Sequence, residues 1–161
     1  MKKYIIGIVA ILVVFGLMWF TTPKQKEAEE NLATMSSREI ALRQTTDMAT
    51  KFHIHPELAI FINGEEFPIP HDMGVTASGM TAIHTHDEDG VIHVESPIEK
   101  DFTLGDFFAV WNKDFSATTL LDKTTENGGE ITVTVNGTSV DTYENTILRD
   151  KDKIVISYQA K

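Results

Sequence analysis

All six histidines of the chain fall between positions 53 and 93, and none lies elsewhere. Five of them stand in His-x-His pairs or in segments able to face one another. His53 and His55 lie in FHIHP, and His84, His86 and His93 lie in IHTHDEDGVIHVESP. Imidazole nitrogen is a ligand for zinc, copper, nickel and iron alike. Two histidines one residue apart in an extended chain point the same way, so each pair can offer two nitrogens to one ion. A lone histidine has an ordinary explanation as a surface or satisfied core residue. Five on matching faces point to a metal site, with an exposed polar face of pH-dependent charge as the alternative. The expected ligands are His84, His86 and His93, joined by one or both of His53 and His55. Glu95 is read as a ligand, as the acceptor that holds an imidazole tautomer, or as a general base. His71 follows a proline in a loop and stands apart. Met73 and Met80, in the loop leading into the histidine segment, could add thioether ligation, although loop methionines more often pack. Zinc and copper rank level as the ion.

Strand geometry must hold these rings together. Asp89-Gly90 separates two short alternating runs, a strong signal for a two-residue hairpin turn. That turn predicts His86 facing His93, Thr85 facing Val94 and His84 facing Glu95. One face would then carry His84, His86, His93 and Glu95, with Ile83, Thr85, Ile92 and Val94 on the other. A three-residue loop with Gly90 as a bulge would send His93 to the far face. Its mixture of apolar and imidazole groups on both faces argues against it.

The surrounding segments read as a mixed α+β domain. FHIHPELAIFINGEEFPIP holds a hairpin with Asn63-Gly64 at the tip, pairing Ile62 with Glu65, Ile60 with Phe67 and Leu58 with Ile69. Leu58, Ile60, Phe67 and Ile69 would form its buried face. Residues 71–82 read as a loop. Thr103 can cap a helix in DFTLGDFFAVWNKDF, with Asp106 completing a box and Leu104, Phe107, Phe108 and Trp111 forming an apolar stripe. That aromatic cluster reads as core rather than a ligand-stacking box. Residues 116–129 read as a loop, ITVTVNGTSV as a hairpin turning at Asn136-Gly137, and KIVISY as a last strand. Asn136-Gly137-Thr138 is also a glycosylation sequon, but Asn-Gly is what the turn itself requires. Two hairpins flanking one helix describe a β-grasp-like mixed sheet, here with an inserted histidine-rich hairpin. VNG…LRDKDKIVISY resembles the end of ubiquitin-like sulfur carriers. Those carriers end in Gly-Gly whereas this chain ends Gln-Ala-Lys, so the likeness bears on fold alone.

From Tyr4 through Pro23 the chain has no charge and is almost wholly apolar, long enough for a transmembrane helix. Lys2 and Lys3 precede it, which predicts a cytoplasmic N-terminus and an extracellular or periplasmic domain. The usual cleavage pattern is missing, favouring an uncleaved anchor over a signal peptide. The expected organisation is an anchor at 1–23, a polar, partly helical stalk at 24–50 and a domain at 51–161. Ser36-Ser37-Arg38-Glu39 could restart a helix in the stalk. The chain has no cysteine, which removes disulfides, thiol catalysis and thiolate ligation. Residues 51–161 hold 8 Lys/Arg against 19 Asp/Glu, so 8 − 19 = −11. That acidity disfavours nucleic acid and anionic membrane surfaces as partners of the folded part.

HIHPEL with FINGEEFPIP, then IHTHDEDGVIHVESP and FTLGDFFAVW, resembles an uncharacterised family of secreted or membrane-anchored bacterial and archaeal proteins. Members share an HxH, an HTHD…G-hIHhE hairpin and an LGxFFxxW helix. The likeness covers about residues 52–115, with the C-terminal VNG segment also similar. It implies that these features belong together and carries no activity with it.

Three functions fit the residues. The first is a membrane-anchored module that captures, buffers or transfers zinc or copper. The second is a metalloenzyme, a hydrolase or hydratase using the same histidines with Glu95 as base. The third is a non-catalytic interaction subunit of an envelope complex, docked on an envelope protein through stalk and anchor.

Overall fold

The computed structural model describes residues 23–46, 50–87 and 89–161. The apolar span expected at 1–23 lies outside them, apart from Pro23. Among the described residues no helix is long and apolar enough to cross a membrane. The chain divides into two units, Met1–Thr34 and Met35–Lys161. The first contributes helix α1 (Pro23–Thr34), rich in helix formers and with no described side chain buried.

The second unit starts earlier than the expected boundary at 51. Helix α2 (Ser37–Leu42) forms at the expected serine cap. The Ser36 hydroxyl accepts from the Glu39 amide at 3.2 Å, and the Ser36 amide donates to Glu39 Oε2 at 2.7 Å. Ile40 and Ala41 are buried in the domain core. The last part of the 24–50 stalk is therefore part of the domain. A six-residue helix is too short to display an apolar period, so its docking leaves little trace in the sequence.

The main sheet has five strands in the order β12-β11-β13-β3-β4. Strands β3 (Glu57–Ile62) and β4 (Glu65–Phe67) form one hairpin, and β11 (Glu130–Val135) and β12 (Thr138–Val140) form another. Ile62 faces Glu65 and Ile60 faces Phe67, as the Asn63-Gly64 turn predicts. Both turns put Asn and Gly at positive φ, 54° and 86° in the first and 52° and 79° in the second. Asn136 is also tied into the fold. Its amide donates to Asp152 Oδ1 at 2.7 Å and its oxygen accepts from the Lys153 amide at 2.9 Å. Strand β13 (Lys153–Gln159) lies between the hairpins, parallel to β3 and antiparallel to β11. Its alternation buries Ile154 and Ile156 against Leu58, Ile60, Ile131 and Val133. Phe67 departs from the expected buried face: it is 38% exposed at the sheet edge, 6.2 Å from the Trp111 ring.

Helix α3 (Leu104–Val110) packs into this core. Thr103 and Asp106 form the expected capping box. Leu104, Phe107 and Phe108 are buried, at about 1.5–3 kcal/mol each. Phe108 stacks on Phe115 with centroids 4.6 Å apart, so the aromatic cluster is core. Asp106 also accepts from Arg38 Nε at 2.7 Å, which ties α2 to the cap of α3.

Both expected loops contain short strands. Strands β5 (Val75–Thr76) and β6 (Gly79–Thr81) form a small hairpin that pairs with β1 (Gln44–Thr45). Within 116–129, β9 (Thr119–Leu120) pairs with β10 (Lys123–Thr124). Two- and three-residue strands carry no readable alternation; two of the pairings close across short local turns, and only β1 comes from far along the chain.

The histidine segments form a separate three-stranded sheet, β2-β8-β7, from Phe52–Ile54, His93–Ser96 and Ile83–His84. Here the expected register is corrected. His84 faces His93 and Ile83 faces Val94, two places from the predicted pairing of His86 with His93. Thr85 and residues 90–92 leave the hairpin because other partners claim them. Thr85 is buried, its amide donating to the Met73 carbonyl and its hydroxyl to the Pro70 carbonyl. Beyond the bend, Leu58 donates to the Gly90 carbonyl at 2.8 Å and Ile92 to the Pro56 carbonyl at 2.9 Å. Gly90 has φ +77°, and a Cβ there would run into the Leu58 carbonyl oxygen. Gly90→Ala is therefore expected to cost about 1–3 kcal/mol, read as a lower urea midpoint; an unchanged midpoint would mean that this close approach is not needed.

Candidate metal centre

Strand β8 occupies the middle of the histidine sheet. Its alternation sends Val94 and Ser96 into the interior, while His93 and Glu95 face the other way. On one side β2 pairs His53 with Glu95 and Ile54 with Val94. Two places further along the same register, His55 comes level with His93, and their ring centroids are 4.7 Å apart. On the other side β7 sets His84 beside His93, at 5.4 Å with the rings stacked. His86, just past the end of β7, folds back to within 4.8 Å of His84 and 4.7 Å of His93.

The five expected histidines are thus brought together, and they make two triads with His93 common to both. In His53/His55/His93 and in His84/His86/His93, one nitrogen from each residue lies within 4.8 Å of the others. A tetrahedral ion with metal–nitrogen bonds of about 2.0–2.1 Å sets its ligand nitrogens roughly 3.3 Å apart. His71 stays outside, exposed and paired with Asp72 at 3.0 Å. Met73 is part of the buried apolar core.

His84 is the most constrained member. It is fully buried, and its Nδ1 lies 3.1 Å from the Thr81 carbonyl oxygen. A carbonyl can only accept, so Nδ1 carries the proton and donates it. Nε2 is left with its lone pair, buried and without a hydrogen-bond partner among the described residues. A buried polar atom with no partner is costly, and a metal ion is the partner that an unprotonated imidazole nitrogen suits. Histidine ligands are typically fixed in this manner, with the second nitrogen donating to a carbonyl or carboxylate.

Glu95 does the same for the exposed triad. It faces His53 across the sheet rather than the predicted His84, and its carboxylate lies 3.1 Å from His53 Nε2. That contact holds His53 with Nδ1 free to bind. Two contributors escaped the sequence reading. The Thr81 carbonyl is a backbone group and leaves no mark on residue type. Asp150 lies in the turn before the last strand, where it accepts the His55 amide at 3.0 Å and sits 4.0 Å from the His55 ring. The same bond from His55 holds the Asp150 carboxyl below the usual carboxylate range.

Burial lowers the pKa of His84, opposed by its bond to Thr81 and assisted by His86. Burial also lowers that of His93, assisted by His55, His84 and His86. Both rings are therefore neutral near pH 7 and ready to bind a cation without first losing a proton. Such a group leaves stability untouched above 6.5, the ordinary histidine value. Below it the unfolded chain takes up protons that the native rings resist, so stability falls. Thermal unfolding of the metal-free chain between about pH 5 and 8 should show the midpoint dropping on the acid side, with His84→Gln flattening the slope.

No family model, no curated protein and no solved structure matches this chain.

Proposed function

We propose that this protein is a transition-metal-binding module that captures and transfers zinc or copper through its histidine sheet. The observation that carries the reading is the buried Nε2 of His84, which has no partner while Nδ1 is fixed on the Thr81 carbonyl. The other four rings crowd on the same face, with Glu95 orienting one of them. Because Glu95 is engaged by His53, it supports binding rather than service as a general base.

The wider reading comes from the sequence and rests on it. The apolar run at 4–23 and the lysines before it support a single-pass anchor in the cell membrane, with the histidine domain outside the cytoplasm. In that setting a cysteine-free nitrogen and carboxylate site suits zinc or divalent copper. The strand order, with a parallel central pair and α3 as its main helix, supports a β-grasp-like domain carrying the histidine sheet as an insertion. The HxH, HTHD and LGDFFAVW motifs support membership of the secreted and membrane-anchored family they resemble.

Elemental analysis of the full-length chain after exposure to zinc or copper and removal of free ion tests the core of this reading. One equivalent of ion is expected in the parent chain and in His71→Ala, and none in His93→Ala, with far-UV circular dichroism reporting that each variant is folded. A folded parent chain that retains no metal would refute the proposal.

A further inference from the structure

The two triads share His93 and differ in one respect: only the second contains a fully buried ring, that of His84, beside the exposed His86. The His53 and His55 side chains are 46% and 41% exposed, whereas His84 is fully buried. His93 stands between them on the central strand, next to His55 on one side and to His84 and His86 on the other. One ring therefore belongs to an outer set and to an inner set, the inner one defined by the buried His84.

Two arrangements could use such a pair. Two ions could be held at once, or one ion could occupy the two positions in turn. A neutral imidazole has one lone-pair nitrogen. Holding two ions through His93 would require it to lose its remaining N–H proton and bridge as an imidazolate. Among the described residues, the carboxylates beside the rings, those of Glu95 and Asp150, are already engaged by His53 and by the His55 amide. They are poorly placed to offset a second dication. One ion at a time needs neither concession.

Resting on the metal-binding reading, we propose that the triads are successive stations for a single ion. The exposed His53/His55/His93 set captures it, and His93 remains bound while His84 and His86 replace His53 and His55. Ligand exchange about a retained ring spares the ion a return to its full hydration shell. The inner station is the resting place because an ion there meets the buried His84 Nε2, which otherwise has no partner. Glu95 acts as a positioning residue: its carboxylate, 3.1 Å from His53 Nε2, occupies that nitrogen and leaves Nδ1 as the one available to an ion. No electron or covalent step is involved, and no proton leaves a neutral ring. The outer station gives the ion an exposed exit by the same path in reverse, which suits transfer to another acceptor.

The test uses cobalt(II), whose visible absorption reports tetrahedral coordination, mixed with the full-length chain in stopped flow and titrated at equilibrium. The parent chain is expected to bind one equivalent in two kinetic phases, capture and then rearrangement. His53→Ala/His55→Ala should still bind one equivalent with nearly parental affinity, but load about tenfold more slowly and in one phase. Glu95→Gln should share the slower capture without losing final affinity. His86→Ala, which alters an exposed side chain and spares the buried His84, should capture at the parental rate but hold the ion about 10–100-fold more weakly. Two equivalents in the parent chain, or parental loading rates without His53 and His55, would overturn the relay while leaving metal binding intact. No cobalt or zinc uptake by the folded parent chain would instead remove the metal-binding reading beneath it.

Discussion

The strand His93–Ser96 is hydrogen-bonded along both edges, and the candidate site depends on that double attachment. Partners on both sides leave it no freedom to slide. A slip of one residue would turn Val94 and Ser96 away from the buried Ile83 and Ile54 toward solvent and drive His93 and Glu95 into the core. The apolar underside therefore locks the imidazole upper side. Hydrophobic burial beneath the sheet fixes where the nitrogens stand above it, so the rings converge even though like residues do not attract one another.

That arrangement carries a cost concentrated at His84. A fully buried ring with an unpartnered nitrogen is what a folding chain ordinarily avoids. The bond to the Thr81 carbonyl satisfies only half of its polar capacity. Burial keeps the ring neutral, and neutrality is the state in which imidazole binds metal. The feature that weakens the empty fold is thus the one that prepares it for an ion. Around it the other four rings are partly buried or exposed, so His84 is the one fully buried point of the cluster.

The scaffold supplies rigidity from several sides. Residues 90–92 are stitched to the start of β3, which belongs to the main sheet, so the histidine sheet shares an anchor with the five-stranded one. Thr85 fastens the opposite limb to the segment at 70–73. Arg38 on α2 meets the Asp106 cap of α3, drawing a short helix from the polar N-terminal segment onto the core. Each of these links joins pieces far apart in the chain, and each orients an element that packs beside the site or beneath it.

Local chemistry was readable from residue types. Asn-Gly pairs marked both main hairpin turns, Thr103 and Asp106 marked a helix start, and the alternation of IHVES put His93 and Glu95 on one face. The shared face of the histidines also survived an error in register, because the true pairing differs from the expected one by two residues and a strand's side chains repeat with that period. What tertiary structure decided were choices among competing long-range partners. Gly90 bonds to Leu58 rather than closing a tight turn, Glu95 faces His53 rather than His84, and Ile40 finds the core from within a segment too polar and short to announce it. Backbone carbonyls such as that of Thr81 are the same in every residue, so their selection as partners appears only once the chain has folded around them.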